Sequence, residues 1–557
     1  MKYYCNPLNL PYRYQRHNRG GKFITCREAA DPSAILFRGK YYLFPSMTDG
    51  FFVSEDLTEW SFRPFLGEMP VYGYAPDVCE INGELVLCAS SQRENCAFYR
   101  TPDPETVPFE VIPGTFPFWD PHLWYEDGRL YLYWGCSCDH PIYGVELDPA
   151  TFAPVGEPKE LIWGNAAHFG YERFGYDNER PEDSPPYIEG AWLNKHKGKY
   201  YLQYAAPGTE FNIYCDGVYV SDTPLGPFVP QKNNPFSLSP GGFVTGAGHG
   251  STFEDREGRL WHTATTQISV NHPFERRLGL WRAAYDADGE LYCDQRFGDW
   301  PRHVDAPLFS DPEWMLLSYG KPVTASSGEN AEAVTDENCR TWWTADPTDT
   351  APTVTLDLTA VCSVHAVQIH FADFGLSIPY TEEELAAHNP HGDRVFEYTP
   401  LRTRWLLEGS ADGADYFTLI DKCRANTDLP DDTVFFEGGA SVRYMRLTVI
   451  ELPYGQAAKI SGLRVFGTSE GRAPAMAAAT ARRTAPCDME VNWAAEGAEG
   501  ACILWGHAPD KLYHAWTTFT PTQHIGSLVA DTPVYIRVDT FNTHGITKGK
   551  VFAPEKE

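Results

Sequence analysis

Positive charge is scarce in this chain. Its 557 residues carry 45 Lys and Arg against 75 Asp and Glu, which gives a formal net charge of -30. Such a field repels phosphate backbones and anionic lipid surfaces. We therefore expect neither nucleic acid nor a membrane as a partner, and the simplest interpretation of the acidic surface is solubility.

Long apolar runs and a dense cysteine framework are also missing. No stretch approaches the ~18 to 20 residues of a membrane span, and the start, MKYYCNPLNLPYRYQ, has no apolar signal core, so we expect a cytoplasmic protein. The 14 cysteines are scattered, as suits reduced thiols. The nearest pair, Cys136 and Cys138, has no second pair beside it to complete a zinc site, and we interpret it as structural.

One polar and aromatic pattern recurs five times along the first 300 or so residues. A polar head is followed by a short apolar segment, a glycine turn and an alternating strand rich in Tyr, Leu and Trp. The five repeats are DPSAILFRGKYYLF at Asp31, DVCEINGELVLC at Asp77, DPHLWYEDGRLYLYW at Asp120, EGAWLNKHKGKYYLQY at Glu189 and HGSTFEDREGRLWHT at His249. Each repeat is typical of a β-hairpin, and the spacing approaches the ~40 to 50 residues of a propeller blade, with insertions.

These patterns predict an all-β protein. Residues 1–312 are expected to form a five-bladed β-propeller. Beyond residue 312 the sequence pattern changes to short strand-like segments separated by polar loops. This pattern predicts one β-sandwich over residues 313–469 and a second, smaller one over residues 470–557.

Propeller blades are arranged radially around a central channel. If the five heads occupy equivalent places on the innermost strands, their side chains converge on one funnel. Packing like charges together raises at least one pKa and costs stability, so we expect a functional reason for the cluster. Glycoside hydrolysis supplies one, because it needs a protonated carboxylic acid and an ionised carboxylate in the same site.

The repeats resemble glycoside hydrolase family 43, a family of five-bladed propeller enzymes. The resemblance is carried in order by DPS, APD, WDPHLWYEDGRLYLYWG, IEGAW and GAGHGSTF. It implies that Asp31 is the general base that activates water, that Glu189 is the general acid, and that Asp120 raises the pKa of the acid and orients it. It also implies inversion, with ~6.5 to 9.5 Å between base and acid to leave room for water.

Other residues near the heads have weaker assignments. The resemblance implies that His249 lies at the channel centre and reaches a metal ion, often calcium, through water, although no cofactor is required. Asp77 is expected either to contact substrate at the funnel rim or only to cap its strand. Trp119 is our best candidate for stacking on a sugar ring. The other tryptophans are expected to pack within blades: Trp124, Trp163 and Trp192.

Two features depart from the family pattern. Glu189 is followed by Gly190-Ala191 where the family frequently shows Gly-Pro. A long loop at residues 168–187 leads into Glu189, and it is expected to form a wall of the sugar site, a solvated insertion or an oligomer contact.

The C-terminal modules have resemblances of their own. GKPVTASS, TWWTA, VTLDL, EGSADGADYF and VRYMRLTV resemble a discoidin domain, which implies either glycan binding or packing on the propeller. The last module resembles fibronectin type III, which implies no chemistry.

The resemblance implies an exo-acting glycosidase that releases terminal pentose from oligosaccharides, of the α-L-arabinofuranosidase or β-D-xylosidase type. A β-D-galactofuranosidase is one alternative, and retaining chemistry on a propeller is another. A propeller phosphorylase would need a basic phosphate pocket, for which several arginines are available: Arg93, Arg173, Arg180, Arg276 and Arg277. A non-catalytic carbohydrate-binding protein is the alternative outside enzymes.

Overall fold

The computed structural model describes residues 2–19, 22–46, 48–67, 69, 74–90, 95–114, 116–181, 184–268, 274–386 and 394–555. Within these ranges the chain is almost entirely β, with a single α-helix, α1 (Glu382–Ala386). None of the described helices is long and apolar enough to cross a membrane. All 14 cysteines are free.

Three short strands precede the blades. They are β1 (Tyr3–Tyr4), β2 (Tyr14–Arg19) and β3 (Lys22–Arg27). The β2–β3 hairpin lies outside the blades and continues into a strand of the middle sandwich described below.

The first two blades are antiparallel sheets of four strands in chain order. Blade 1 contains β4 (Ala30–Phe37), β5 (Lys40–Ser46), β6 (Gly50–Ser54) and β7 (Trp60–Pro64). Blade 2 contains β8 (Asp77–Ile81), β9 (Glu84–Cys88), β10 (Phe98–Thr101) and β11 (Glu110–Ile112).

Blades 3 and 4 are linked by a short strand that follows blade 3 strands in the chain but pairs with the sheet of blade 4. Blade 3 contributes β12 (His122–Glu126), β13 (Arg129–Trp134), β14 (Cys136–Ser137), β15 (Ile142–Leu147) and β16 (Pro154–Ile162). Blade 4 contributes β17 (Ile188–His196), β18 (Lys199–Ala206), β19 (Cys215–Ser221), β20 (Val229–Pro230) and β21 (Ser237–Leu238). Because β14 pairs with β17 rather than with β13, the end of blade 3 forms the edge of the blade that carries Glu189.

Blade 5 completes the propeller. It contains β22 (Thr245–Glu254), β23 (Leu260–Gln267), β24 (Arg276–Tyr285) and β25 (Leu291–Asp294), and β26 (Arg302–His303) follows and pairs with β1. The predicted five-bladed propeller is thereby confirmed.

The innermost hairpins fold where the glycine pattern predicts. In four of them two residues, both with positive φ, separate the strands, as a type I′ turn requires. The four pairs are Arg38-Gly39, Asn82-Gly83, Asp127-Gly128 and Lys197-Gly198. The fifth hairpin, β22–β23, has a longer loop that contains Gly258.

The middle sandwich, in the described part of residues 313–469, contains nine strands. They are β27 (Met315–Leu316), β28 (Val323–Ala325), β29 (Trp343–Thr344), β30 (Thr353–Phe371), β31 (Arg394–Phe396), β32 (Arg404–Ser410), β33 (Phe417–Asp421), β34 (Asp431–Glu451) and β35 (Lys459–Thr468). The main sheet has the order β27-β35-β30-β34-β32-β33, whereas β31 pairs with β2 of the N-terminal hairpin.

The third sandwich has two sheets. The first has the order β36 (Ala478–Ala485), β37 (Asp488–Ala494), β40 (Thr522–Ile525), and the second has the order β39 (His514–Thr518), β38 (Gly500–Gly506), β41 (Tyr535–Asn542), β42 (Gly545–Thr547). The predicted boundaries at residues 312 and 469 fall in strand-free segments. These boundaries, and the resemblances of the two sandwiches to discoidin and fibronectin type III domains, stay predictions.

Candidate active site

Three of the predicted heads share one unusual backbone position. Asp31, Asp120 and His249 have φ of 46°, 53° and 48°, a region that side-chain-bearing residues seldom adopt. In blades 1 and 5 this residue sits in a register shift of the inner hairpin. A β-bulge of this kind re-aims a side chain next to an active site.

Each left-handed head is held by a polar side chain of the preceding blade. The backbone N–H of Asp31 donates to Thr265 Oγ1 at 2.8 Å, and that of Asp120 donates to Ser90 Oγ at 2.9 Å. The N–H of His249 donates to Asp216 Oδ1 at 2.8 Å. These bonds fix the heads by contacts between neighbouring blades.

Asp77 does not occupy the equivalent place in blade 2, so the expectation of five equivalent heads is wrong there. Ala75 has the positive φ of 50°, and its N–H donates to Ser46 Oγ at 2.5 Å. The carboxylate of Asp77, two residues further on, accepts from Ser33 Oγ at 3.0 Å and from the N–H of Leu123 at 2.7 Å. Asp77 therefore ties blade 2 to blades 1 and 3, and its contact with substrate stays a prediction.

Glu189 is displaced by one position from the other heads. It remains paired across the hairpin with Ala205, and the register shift follows it. Gly190 takes the left-handed conformation instead, with φ of 63°, and a Cβ there would lie 2.7 Å from the ring of His249. Only glycine fits at position 190, and the Gly190-Ala191 pair retains it although Ala replaces the Pro that the family frequently shows at the next position.

Asp31 lies in a charge-stabilising environment. Its Oδ2 accepts from Ser46 Oγ at 2.6 Å, and Arg276 Nη1 lies 3.3 Å from Oδ1. Burial would raise the pKa of Asp31, but Arg276, His249 and the hydroxyls of Ser46 and Thr265 hold the pKa below its ordinary value. This carboxylate is therefore ionised at neutral pH.

Glu189 lies in the opposite kind of environment. Tyr214 donates a hydrogen bond to Oε1, and the thiol of Cys136 donates to Oε2 at 3.4 Å. Burial raises the pKa of Glu189, and the charge of Asp31 adds to the rise, while His249, Tyr214 and Cys136 oppose it. The net shift is upward, which favours the protonated acid.

The carboxyl of Asp120 lies close to that of Glu189. One oxygen of each carboxyl lies within 4.8 Å of the other and of Cys136 Sγ. Burial and the negative charge of Glu189 raise the pKa of Asp120 well above its ordinary value, against the attraction of His249. Two buried carboxyls this close share a proton rather than both ionise.

His249 lies between the two kinds of acid. Its Nδ1 is 3.4 Å from Asp31 Oδ1 and 3.9 Å from Asp120 Oδ2. Burial would lower the pKa of the imidazole, but Asp31, Asp120 and Glu189 raise it above its ordinary value. The positively charged form of His249 is therefore favoured, and in that form it attracts the acids on both sides.

The donor atoms near His249 can be compared with the needs of calcium, which prefers about six to eight oxygen ligands. The imidazole nitrogen occupies the space between Asp31 and Asp120, and Arg276 brings a second positive charge to Asp31. The three ligand atoms at Asp120, Cys136 and Glu189 include a thiol, which suits softer metals. These described residues do not form an oxygen cage for calcium, and the channel metal stays a prediction that no step below uses.

The aromatic predictions have mixed outcomes. Trp119 is half-buried, and its ring centroid lies 6.3 Å from that of Tyr74. Tyr74 in turn packs on Arg276, which contacts Asp31. Trp119 therefore lies near the funnel, and its stacking on a sugar ring stays a prediction. Trp192 is buried, as expected, and donates to Thr252 O of blade 5 at 3.0 Å, so it packs between blades 4 and 5. The packing expectation is wrong for Trp163, which is 52% exposed beyond the end of β16.

Sequence reasoning missed four side chains of the site. Cys136, interpreted as structural, contacts Glu189, and Tyr187 and Tyr214 complete the surroundings of that carboxyl. Arg276 was considered only as a phosphate ligand. The pairing of β14 with β17 could not be inferred, because nothing in the sequence of Cys136-Ser137 indicates which blade it joins.

The arginines considered for a phosphate pocket are largely engaged elsewhere. Arg173 pairs with Asp488 and Arg277 with Asp431, both in buried ion pairs with the C-terminal sandwiches. The guanidinium of Arg276 binds Glu28 at 2.7 Å as well as Asp31. Arg93 lies outside the described residues.

Comparison with known proteins gives a family and several relatives. The model of glycosyl hydrolases family 43 matches residues 24–291. A β-D-galactofuranosidase of Aspergillus niger is 24% identical over 247 residues, covering 40% of this chain and 69% of the relative. A xylosidase/arabinosidase of Bacteroides ovatus is 27% identical over 194 residues, covering 31% of this chain and 56% of the relative.

Further similarity comes from a third relative and from solved structures. Xylosidase/arabinosidase 43A of Humicola insolens is 24% identical over 341 residues, 49% of this chain and 98% of the relative. An endo-1,4-beta-xylanase structure from Bacteroides thetaiotaomicron is 25% identical, covers 48% of this chain and 94% of its own, and gives a TM-score of 0.40. A structure described as a glycoside hydrolase is 17% identical, covers 78% and 97%, and gives 0.44.

The matched segment runs from β3, ahead of blade 1, to the start of β25 in blade 5, and it contains Asp31, Asp77, Asp120 and Glu189. The protein is a glycoside hydrolase, and residues 24–291, just under half of the chain, match the model of glycosyl hydrolases family 43.

Proposed function

We propose that the protein is an exo-acting glycosidase that removes terminal pentosyl residues from oligosaccharides, of the α-L-arabinofuranosidase or β-D-xylosidase type. Asp31 is the general base, Glu189 is the general acid, and Asp120 tunes and orients the acid. The acid and base roles are supported by the surroundings of the carboxyls: Arg276 lies 3.3 Å from Asp31, whereas Asp120 and Glu189 are buried with carboxyl oxygens within 4.8 Å of each other, and these surroundings lower the pKa of Asp31 and raise the pKa of the other two. A pair of carboxyls whose environments separate their pKa values is how one site provides both acid and base.

The base step follows from the surroundings of Asp31. Its ionised carboxylate accepts a proton from a water molecule as that water attacks the anomeric carbon. Ser46 and Thr265 orient the carboxylate, and Arg276 stabilises its negative charge. Arg276 also limits its basicity, so Asp31 remains ionised at mildly acidic pH.

The acid step follows from the surroundings of Glu189. The protonated carboxyl donates its proton to the glycosidic oxygen as the bond to the leaving group breaks. Tyr214 and Cys136 fix the plane of the carboxyl through one contact on each oxygen. The closeness of the Asp120 and Glu189 carboxyls disfavours ionisation of both, so the pair keeps one proton until the leaving group takes it.

The pentosyl class is supported by the names of two relatives, the xylosidase/arabinosidases of Bacteroides ovatus and Humicola insolens. A β-D-galactofuranosidase activity is the second candidate, because a relative from Aspergillus niger carries that name. Arabinofuranosides and galactofuranosides share the five-membered ring, so one site could accept either.

The test compares release of nitrophenol from arabinofuranosides, xylopyranosides and galactofuranosides by the wild type, Asp31→Asn and Glu189→Gln. We expect one sugar to be preferred and each variant to lose about 10²- to 10⁴-fold in kcat, the usual contribution of a general acid or base. Asp255→Asn is a matched control, since Asp255 is a buried acid that binds Arg259 and Trp261 in the blade 5 hairpin.

The anomer formed first, followed by proton NMR, tests the direction of attack. Inversion is expected. A retained anomer, or full activity of folded Asp31→Asn, would contradict the assigned roles, and turnover that depends on phosphate would favour a phosphorylase.

A further inference from the structure

The third sandwich contacts the segment that leads into Glu189. We call residues 165–187 the acid loop; residues 182 and 183 of it lie outside the described ranges. Phe169 forms an antiparallel bridge with Val529, and the N–H of Gly170 donates to Leu528 O at 2.8 Å. The acid loop is therefore paired with the third sandwich at this point, rather than standing free as a solvated insertion.

A buried ion pair strengthens this contact. Arg173, only 4% exposed, donates through Nη1 and Nη2 to the two oxygens of Asp488 at 3.0 and 2.7 Å. Its Nη2 also donates to Gly526 O at 2.7 Å, and His524 lies 3.2 Å from Asp488. A bidentate pair of this kind fixes direction as well as distance, so it holds the acid loop in one orientation.

One end of the acid loop reaches the proposed general acid through a thiol. Tyr187 OH lies 2.7 Å from Cys136 Sγ, and Cys136 donates to Glu189 Oε2 at 3.4 Å. A shift of Tyr187 therefore changes the surroundings of the Glu189 carboxyl directly.

A second connection runs through the middle of the acid loop. The N–H of Asp177 donates to Asn212 Oδ1 at 3.0 Å, and Asn212 Nδ2 donates back to Asp177 Oδ1 at 2.8 Å. Asn212 is two residues from Tyr214, which donates to the other oxygen of Glu189. Both tyrosines around the acid thus depend on the position of one loop.

The hydrophobic core is shared in the same place. Phe169 and Tyr171 of the acid loop are buried in one cluster with Met489, Val491 and Leu528 of the third sandwich. Moving Phe169 and Tyr171 away from the third sandwich would expose part of this core.

We propose that the third sandwich is a positioning element for the general acid, and that Arg173 and Asp488 are positioning residues that act on Glu189 through Tyr187, Cys136 and Tyr214. The inference rests on the proposed role of Glu189. It gives the last module a part in the reaction, where its sequence implied none.

The test measures kcat/KM of Asp488→Asn and Arg173→Lys on glycosides of one sugar with leaving groups of different acidity. Protonation by the acid matters most for a basic leaving group such as methoxyphenol and least for dinitrophenol. We expect a loss of about tenfold or more with methoxyphenyl glycosides and of less than about threefold with dinitrophenyl glycosides. Arg173→Lys keeps the charge but loses the bidentate geometry, so it should give a smaller loss of the same pattern.

Lys511→Met is the matched control. Lys511 of the third sandwich pairs with Asp286, Asp288 and Glu290 of blade 5, so its loss removes an ion pair between the same two parts of the molecule away from the acid loop. Equal losses on all leaving groups, or Asp488→Asn and Lys511→Met behaving alike, would overturn the positioning role.

Glu189→Gln in the same assay separates this inference from the proposed function. If the loss of kcat/KM in Glu189→Gln does not depend on the acidity of the leaving group, Glu189 is not the general acid. Should Glu189→Gln show that dependence and folded Asp488→Asn lack it, only the positioning role fails.

Discussion

The acids of this site differ because of the charged groups within a few ångströms of each. Arg276 lies 3.3 Å from Asp31, whereas the neighbours of Glu189 are a tyrosine hydroxyl, a thiol and the carboxyl of Asp120. A cation lowers the pKa of a nearby carboxyl, and burial beside another carboxyl raises it. The ionised carboxylate is therefore favoured at Asp31 on one side of His249, and the protonated carboxyl is favoured at Glu189 on the other.

Asp120→Asn tests this arrangement at the level of one residue. A general acid works only while protonated, so activity falls as pH rises through its pKa. Asp120→Asn removes one of the two carboxyls that repel each other when ionised, so we expect the pKa of Glu189 to fall and the alkaline limb of the kcat/KM profile to move to lower pH. We also expect kcat to fall by on the order of 10², measured over a pH series.

The same series on Asp255→Asn should leave the alkaline limb in place. An alkaline limb of Asp120→Asn at the wild-type pH would show that Asp120 does not set the pKa of the acid.

At the scale of elements, the inner strands combine regular hairpins with irregular beginnings. β17 shows both features, since Gly190 lies in the bulge at its start and Gly198 lies in the turn at its end. The turn sets the register of the hairpin, and the bulge brings the backbone against the ring of His249. Local chain conformation thereby determines how closely blades 4 and 5 approach at the funnel.

Gly190→Ala and Gly198→Ala form a matched pair on this strand. Both glycines have positive φ, 63° and 79°, so each substitution should cost roughly 1 to 2 kcal/mol of backbone strain. At Gly190 the new Cβ would also lie 2.7 Å from His249, whereas at Gly198 nothing lies within 4 Å. We expect an additional ~1 to 3 kcal/mol of destabilisation from overpacking at Gly190.

Urea unfolding and kcat measurements distinguish the two variants. Gly190→Ala should lose most of its activity, and Gly198→Ala should keep it. Equal activities would mean that the contact with His249 is not needed for the reaction.

At the scale of the whole molecule, the propeller and the two sandwiches share buried interfaces. One core cluster combines Trp300 after blade 5 with Phe466 of the middle sandwich and Phe541 of the third. Arg464 of the middle sandwich is buried and pairs with Asp299 beside that cluster. These contacts support packing as a role of the middle sandwich, while glycan binding by it stays a prediction.

Shared cores predict that the protein unfolds as one unit. Differential scanning calorimetry should give a single transition whose calorimetric and van't Hoff enthalpies agree. Separate transitions, or a chain ending at residue 469 that keeps the melting temperature of the full protein, would contradict this expectation, because removal of the third sandwich exposes the cluster that contains Phe169 and Tyr171.

The sequence by itself determined the features that depend on near neighbours. Alternating strands around two-residue turns such as Asp127-Gly128 are specified within about ten residues, so the five hairpins and the all-β class were predictable. The repeat also identified Asp31, Asp120 and His249, because the same local bulge occurs in several blades.

The tertiary structure alone decided which side chains meet. Ala75, rather than Asp77, takes the left-handed position of blade 2, and Cys136 joins the neighbouring blade to contact Glu189. Arg173 pairs with Asp488, although more than 300 residues separate them in the chain. Such contacts are set by closure of the propeller and by packing of the third sandwich on the acid loop, and no local pattern encodes the distance between residues so far apart in sequence.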